Sequence, residues 1–272
     1  MSQTNTFKPC FLIPVYNHKD VLAYILEKLE PYGLPCVMVN DGSDSECRAV
    51  MMALEAQYDW LKVYHLEQNG GKGAAVICGF RHALAAGYSH CFQIDADGQH
   101  NLERIPEFLN AAEQKPEALV TGYAIYDDSV PKGRLYGRYI THVWVWIETL
   151  STSIKDSMCG FRVYPLPACL ALISRVELGQ RMEFDIEVIV RLHWMGVPVV
   201  NLPVEVRYPM DGISHFNVLQ DNLRISKIHA MLFFTMLAHI PFQATVRKLR
   251  SMLPSFLSSS LTSNQSKRKK NG

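Results

Sequence analysis

An α/β fold, with a mostly parallel sheet covered by helices on both faces, is the class this sequence predicts. Three observations predict it. Short apolar runs alternate with segments of helical period through the first half of the chain. Three of the runs end in polar residues, Tyr16-Asn17, Asp41-Gly42-Ser43 and Asp95-Ala96-Asp97, and such sheets bind ligands at the carboxyl ends of their strands. Across 272 residues, 48% are hydrophobic and 19% charged, so the chain can build a sizeable core and is not globally disordered.

FLIPVYN (11–17) is the first expected strand, and 19–30 follows as a helix with Val21, Leu22, Ile25, Leu26 and Leu29 on one face. Strands are expected at 35–41, 61–67, 91–95 and 118–126, separated by helices over 44–58, 72–86 and 102–113. Beyond Tyr126 the alternation loosens. A helix is expected over 135–150, then a polar loop, KDSMCGFRVYP (155–165), running into a short strand. A helix near 183–195, a strand near 197–207, a loop at 208–216 and a long helix from Val218 complete the reading. This divides the chain into a main α/β domain (1–217), an amphipathic interfacial segment (218–253) and a disordered basic tail (254–272) ending in SKRKKNG.

The formal net charge of +1 gives no overall field that would favour nucleic acid. Seven cysteines without a C-x-x-C pair fit reduced thiols. The N-terminus lacks the charged and apolar regions of a signal peptide, so a cytoplasmic chain is expected.

The run CFQIDADGQH (91–100) places two carboxylates on one turn, where each repels the other. A carboxylate and a phosphate oxygen about 4 Å apart would also repel, by roughly 4 kcal/mol at a surface-like dielectric. A divalent ion reverses that sign, and Mg2+ or Mn2+ commonly joins carboxylates to substrate phosphates. A solvated turn capping the next helix would carry the same acids. NGGKGAA (69–75) opens a helix with glycines that let amides approach an anion, without P-loop spacing. A plain Gly-rich turn with a solvated lysine reads the same, and so does an Asn-Asp-Gly turn at Asp41.

Taken in order, IPVYN, NDGS, N-x-G-K-G and DADGQ resemble the family 2 glycosyltransferases of the GT-A fold. DADGQH followed by D-S-x-x-G-F-R-x-Y is similar to the polyprenol-phosphate (dolichol-phosphate) mannose and glucose synthases. The resemblance implies that Pro14, Tyr16 and Asn17 line a nucleotide pocket and that Asp41 hydrogen-bonds the base. It implies that Lys72 neutralises diphosphate oxygens, that Asp95 lies near ribose and metal, and that Asp97 and Gln99 are metal ligands, with Asp97 essential to catalysis. The Q-x-x-R-W motif of processive members is absent, and GQRMEF (179–184) does not supply it, so one sugar per turnover is expected. Inversion at the anomeric carbon is implied as well.

An acceptor phosphate is a dianion near neutrality, its second pKa being about 6, and needs cations more than a base. Arg134, Arg138 and Arg162 are the candidates, with Asp156 orienting the acceptor or serving as base for an alcohol. A solvated helix face and a loop cap are the plain readings of the same residues. IHAMLFFTMLAHIPFQATV (228–246) lacks Asp, Glu, Lys and Arg. A helix ending before Pro241 would be about 20 Å long, against a hydrocarbon core of ~30 Å. An interfacial helix on the inner face of the membrane is expected, with Arg247, Lys248, Arg250 and the tail assisting; a buried core or dimer helix would share the pattern. Trp144 and Trp146 fit a lipid interface or a core, and His215 and Phe216 lie near donor or acceptor. The expected reaction moves one hexose from a nucleotide sugar to a polyprenyl phosphate. A hydroxyl acceptor and an inactive nucleotide-sugar binder are the alternatives.

Overall fold

The computed structural model describes residues 7–126, 132–206 and 218–252, with backbone alone at 126, 132–136, 218–219 and 239–252. The expected α/β architecture is present. Strands β1 (Pro9–Val15), β2 (Cys36–Asn40), β3 (Leu61–His65), β4 (His90–Gln93), β5 (Leu119–Tyr126), β6 (Arg162–Pro165) and β7 (Val199–Val206) form one sheet in the order β3-β2-β1-β4-β6-β5-β7. The helices are α1 (Lys19–Leu29), α2 (Ser45–Gln57), α3 (Lys72–Ala85), α4 (Ile105–Gln114), α5 (Lys132–Thr149), α6 (Leu166–Ile173), α7 (Phe184–Trp194) and α8 (Val218–Met252).

Strands β1, β2 and β4 are parallel and almost wholly buried, as continuous apolar runs between helical layers should be. Helix α1 buries Leu22, Ile25, Leu26 and Leu29, the face its spacing foretold. Asp44 caps α2 by accepting from the Cys47 amide at 2.8 Å. Phe11, Phe92, Phe108 and Phe161 meet at the centre of the core, with ring centroids 4.7–6.0 Å apart.

Strand β6 runs antiparallel to both β4 and β5. That reversal carries the 155–161 loop to the same sheet edge as the ends of β1, β2 and β4, because Arg162 pairs with Gln93. Helix α6 was not expected. Its sequence, LPACLALI, is apolar with a proline at its first turn, and a short apolar segment does not distinguish strand from helix. Helix α8 continues through Pro241 to Met252, a correction to the expected stop at Ile240. The missing amide costs the helix a hydrogen bond without ending it.

The chain divides into two compact units, Met1–His229 and Ala230–Gly272. In the first unit α8 buries Ile225 and Ile228. In the second, Met231, Phe234 and Leu237 are exposed at 41%, 69% and 46%. No helix among the described residues is long and apolar enough to cross a membrane. The loop at 208–216, with His215 and Phe216, and the tail from 254 lie outside the described residues.

Candidate active site

The parallel strands bring the motifs together. Pro14, Tyr16, Asp41, Lys72, Asp95, Asp97, Gln99 and Arg138 line one cleft of about 520 Å3 at the carboxyl edge of the sheet. A site that depended on Asp95 and Asp97 lying near Asp41 and Lys72 finds them there.

Asp41, 3% exposed, follows β2 and accepts from the amides of Gly70 and Gly71 at 2.7 and 2.8 Å, while the Asn69 amide group donates to it at 3.1 Å. Burial pushes its carboxyl above the usual range, and the two glycine amides pull it partly back. Asp41 therefore moulds the glycine-rich loop, using the oxygens the base was expected to meet. Gly71 sits at φ 101°, a backbone region open to glycine, and a Cβ there would fall 2.5 Å from Cγ of Arg181. The loop over 179–183 packs against it, with Ala74 donating to the carbonyl of Gln180 at 3.0 Å.

Lys72 opens α3 and reaches Asp95 at 2.9 Å and Asp185 at 2.6 Å. Burial opposes its charge, but the Asp185 and Asp95 carboxylates outweigh burial and raise its pKa above the ordinary lysine value. For Asp95 burial acts upward, and Lys72 and His100 more than offset it, so the carboxyl lies below its ordinary value. Gln93 supports Asp95 from β4 at 3.1 Å. A Cβ at Gly160 would overlap both Asp95 carboxylate oxygens, so the 158–160 loop passes directly beneath the acid.

Asp97 accepts from the Gln99 amide at 3.0 Å through one oxygen, and its other oxygen has no partner among the described residues. No cluster of three His, Cys, Asp or Glu capable of holding a metal occurs among those residues. Asp95, Asp97 and Gln99 offer hard oxygen donors, too few to enclose an ion alone. That set fits Mg2+ or Mn2+, which take one or two carboxylates and complete their shell with substrate phosphates and water.

Several expected site residues lie elsewhere. Arg162 is fully buried in β6, donating to Thr121 Oγ1 at 3.2 Å, the Tyr164 hydroxyl at 3.2 Å and the Asp185 carbonyl at 2.8 Å. It braces the sheet against α7 and does not face an acceptor, which corrects its place as a clamp. Asp156 is 3% exposed and accepts from the amides of Ala124, Met158 and Cys159 and from Arg138. Burial alone would raise its pKa, but Arg138, His142 and the amides hold it below the usual range. So stabilised an anion is a poor base, and Asp156 shapes the loop instead. Asn17, at φ 54°, accepts from the Asp44 amide at 2.9 Å and pins two loops together instead of lining the cleft. Arg138 lines the cleft and pairs with Asp156 at 3.1 Å. Arg134 lies in α5, its side chain outside the described residues. Trp146 donates to the Ile154 carbonyl at 2.8 Å, and Trp144 stacks on His229.

Sequence reasoning missed Arg181, Asp185, Asp221 and Arg224, all of which line the cleft. One signal was readable. FDIEVIV sets two acids in a helix segment whose every residue is buried, and unpartnered buried carboxylates are costly. Glu187 is satisfied by Gly179 and Arg191 at 2.7 Å each, and Asp185 by Lys72.

The family model for glycosyl transferase family 2 matches residues 10–178. A dolichyl-phosphate beta-glucosyltransferase of Trichomonas vaginalis is 27% identical over 72% of this chain, which spans 64% of that relative's length. A polyprenol monophosphomannose synthase of Mycolicibacterium smegmatis is 26% identical, covering 77% of this chain and 81% of the relative. Among solved structures, glucosyl-3-phosphoglycerate synthase from Mycobacterium tuberculosis, in complex with Mn2+, UDP and glucosyl-3-phosphoglycerate, superposes with a TM-score of 0.59 at 13% identity, covering 85% of this chain and 80% of that one. TarS from S. aureus, in complex with UDP-GlcNAc, gives 0.56 at 14% identity, covering 83% and 66%. These likenesses place the fold with the GT-A enzymes, and the matched motifs converge on a single cleft: the chain belongs to glycosyl transferase family 2.

Proposed function

We propose that this chain transfers one hexose, with inversion at the anomeric carbon, from a nucleotide-diphosphate sugar to a polyprenyl phosphate at the cytoplasmic face of a membrane. The observation that carries the reading is the meeting of Asp41, Lys72, Asp95, Asp97 and Gln99 in one cleft that Arg138 also lines. The names of the dolichyl-phosphate and polyprenol relatives support the acceptor class. Asp95, Asp97 and Gln99 would hold Mg2+ or Mn2+, which when bound supplies positive charge to the leaving diphosphate. Lys72 fixes the Asp95 carboxylate. An acceptor phosphate is already anionic and needs no base; Arg138 offers it a cation already held in place by Asp156.

The exposed Met231, Phe234 and Leu237 of α8, followed in sequence by Arg247, Lys248 and Arg250, support an interfacial role for the helix. On this reading 1–217 is the catalytic domain, 218–253 the interfacial segment and 254–272 a basic tail that adds attraction to anionic lipid.

A hydroxyl acceptor is the second reading. It is favoured by Asp185, which lines the cleft: Lys72 holds its Oδ2, while its buried Oδ1 has no hydrogen-bond partner among the described residues, the Arg162 guanidinium lying 4.0 Å away. Radiolabelled UDP-glucose and GDP-mannose, offered with Mn2+ and either membranes or purified polyprenyl phosphate, separate the readings. Chloroform-soluble label released by mild acid is the expected product. A glycolipid stable to mild acid moves the assignment to a hydroxyl, and donor binding without turnover marks a sugar-nucleotide binder.

A further inference from the structure

We propose that Arg181, and not Lys72, is the cationic side chain that meets the donor's diphosphate. The inference rests on the reading of the cleft as a nucleotide-sugar site. Four lysines and arginines among the described residues line it: Lys72, Arg138, Arg181 and Arg224. Three are already matched to carboxylates. Lys72 lies between Asp95 and Asp185 at 2.9 and 2.6 Å, Arg138 meets Asp156 at 3.1 Å, and Arg224 meets Asp221 at 2.9 Å. Arg181 makes no ion pair within 4 Å among the described residues, and its charge reaches the Asp41 carboxylate only through space. Its single side-chain hydrogen bond goes to a neutral group, Asn69 Oδ1, at 3.0 Å.

Position agrees with charge. Asn69 in turn donates to Asp41, and the Arg181 stem packs against Gly71, so the guanidinium stands beside the glycine-rich loop at the opening of α3. The backbone of 179–183 is fixed by Gly179 donating to Glu187 at 2.7 Å and by Ala74 donating to Gln180. Arg181 is thereby presented on an ordered loop. A guanidinium with one bond to Asn69 keeps further N–H donors for phosphate oxygens, in a planar fork suited to them.

Lys72 is poorly placed for the same task. Moving its ammonium to a phosphate would break both short ion pairs and leave the buried Asp185 with only Arg162, 4.0 Å away. Lys72 is a positioning residue that holds the metal-facing acid. With a divalent ion offset by Asp95 and Asp97, a diphosphate still brings surplus negative charge, and Arg181 is the cation without an ion pair to meet it.

The test is calorimetric titration in Mn2+ with UDP and GDP, together with ligand-observed NMR of uridine and guanosine, on wild type, Arg181→Gln and Arg181→Lys. Losing a charge-assisted hydrogen bond should weaken the nucleoside diphosphate that wild type prefers by about ten- to a hundredfold. Nucleoside binding should stay within about twofold, and Arg181→Lys should recover most of the loss. Unchanged diphosphate binding in Arg181→Gln overturns the assignment. Equal losses for diphosphate and nucleoside overturn it too, because Arg181 would then read the base. If Arg181→Gln does not fold, Arg181→Met and Arg181→Lys carry the comparison: equal diphosphate affinities in those two overturn it. A wild type that binds neither UDP nor GDP removes the nucleotide-sugar reading itself, and this assignment with it.

Discussion

Replacing Gly160 with alanine tests how the site is assembled, because the collision it creates is specific. The added Cβ would lie 2.5 Å from Asp95 Cγ and closer still to both carboxylate oxygens. Gly160 is not among the glycines held at positive φ, so the backbone there accepts alanine, and the three atoms nearest its Cβ all belong to the acid. Restoring an ordinary contact requires Asp95 to retreat by roughly 1 Å, enough to stretch its 2.9 Å pair with Lys72 and its 3.1 Å bond from Gln93 beyond useful length. Overpacking of this kind costs about 1–3 kcal/mol. For a unit of this size that lowers Tm by about 2–12 °C. The displaced carboxylate should also weaken Mn2+ binding in the presence of nucleoside diphosphate by about tenfold or more, a factor of ten being about 1.4 kcal/mol. Thermal melting and Mn2+ titration by electron paramagnetic resonance measure both effects. Gly137→Ala is the control: its Cβ meets nothing within 4 Å, and alanine in that helix should be neutral or stabilising. A Gly160→Ala protein with wild-type melting and Mn2+ affinity would show that Asp95 does not lean over this loop.

Other consequences concern stability and the membrane. Asp156 has a folded pKa below its ordinary 3.8, so the native state binds fewer protons and its contribution is present above that value and fades as pH falls. Melting temperature should therefore drop between about pH 4.5 and 3, and Asp156→Asn should flatten part of that drop; an unchanged slope contradicts the pairing with Arg138. Glu148 and His229 form a buried pair at 2.8 Å. Either Glu148→Leu or His229→Phe alone strands a buried polar partner and should cost about 1–3 kcal/mol in urea unfolding, with the double variant costing less than the sum of the two; additive losses would refute that. Asp97→Ala should abolish sugar transfer while leaving melting within about 2 °C, since its side chain is held only by the Gln99 amide. Phe234→Asp, at a side chain 69% exposed, should reduce flotation with anionic vesicles, and unchanged flotation counts against an interfacial α8.

The parallel core was legible because its strands are continuous apolar runs and its helices carry one apolar face. Val15, Asn40 and Gln93 end adjacent parallel strands, so the polar residues after them had to share an edge. What could not be read was the second half of the cleft. Nothing local in GFRVYP announces that β6 runs backwards, and that reversal both buries Arg162 and brings Gly160 under Asp95. Arg162 and Asp156 look like site residues in one dimension because arginine and aspartate in a polar loop usually face water. Here the sheet and the 155–161 loop use them as braces. Arg181 and Asp185 escaped notice for the opposite reason. They sit more than a hundred residues from the glycine-rich loop, and their meaning comes from contacts with Asn69 and Lys72 that spacing does not encode.

The central claim is that a divalent ion and a nucleotide diphosphate share the cleft beside β4. A crystal soaked with Mn2+ and UDP or GDP, measured at the manganese edge, tests it most directly. The account predicts an anomalous peak within coordination distance of the Asp97 carboxylate, with the diphosphate on its far side. Nucleotide bound with manganese away from Asp95 and Asp97 would contradict it.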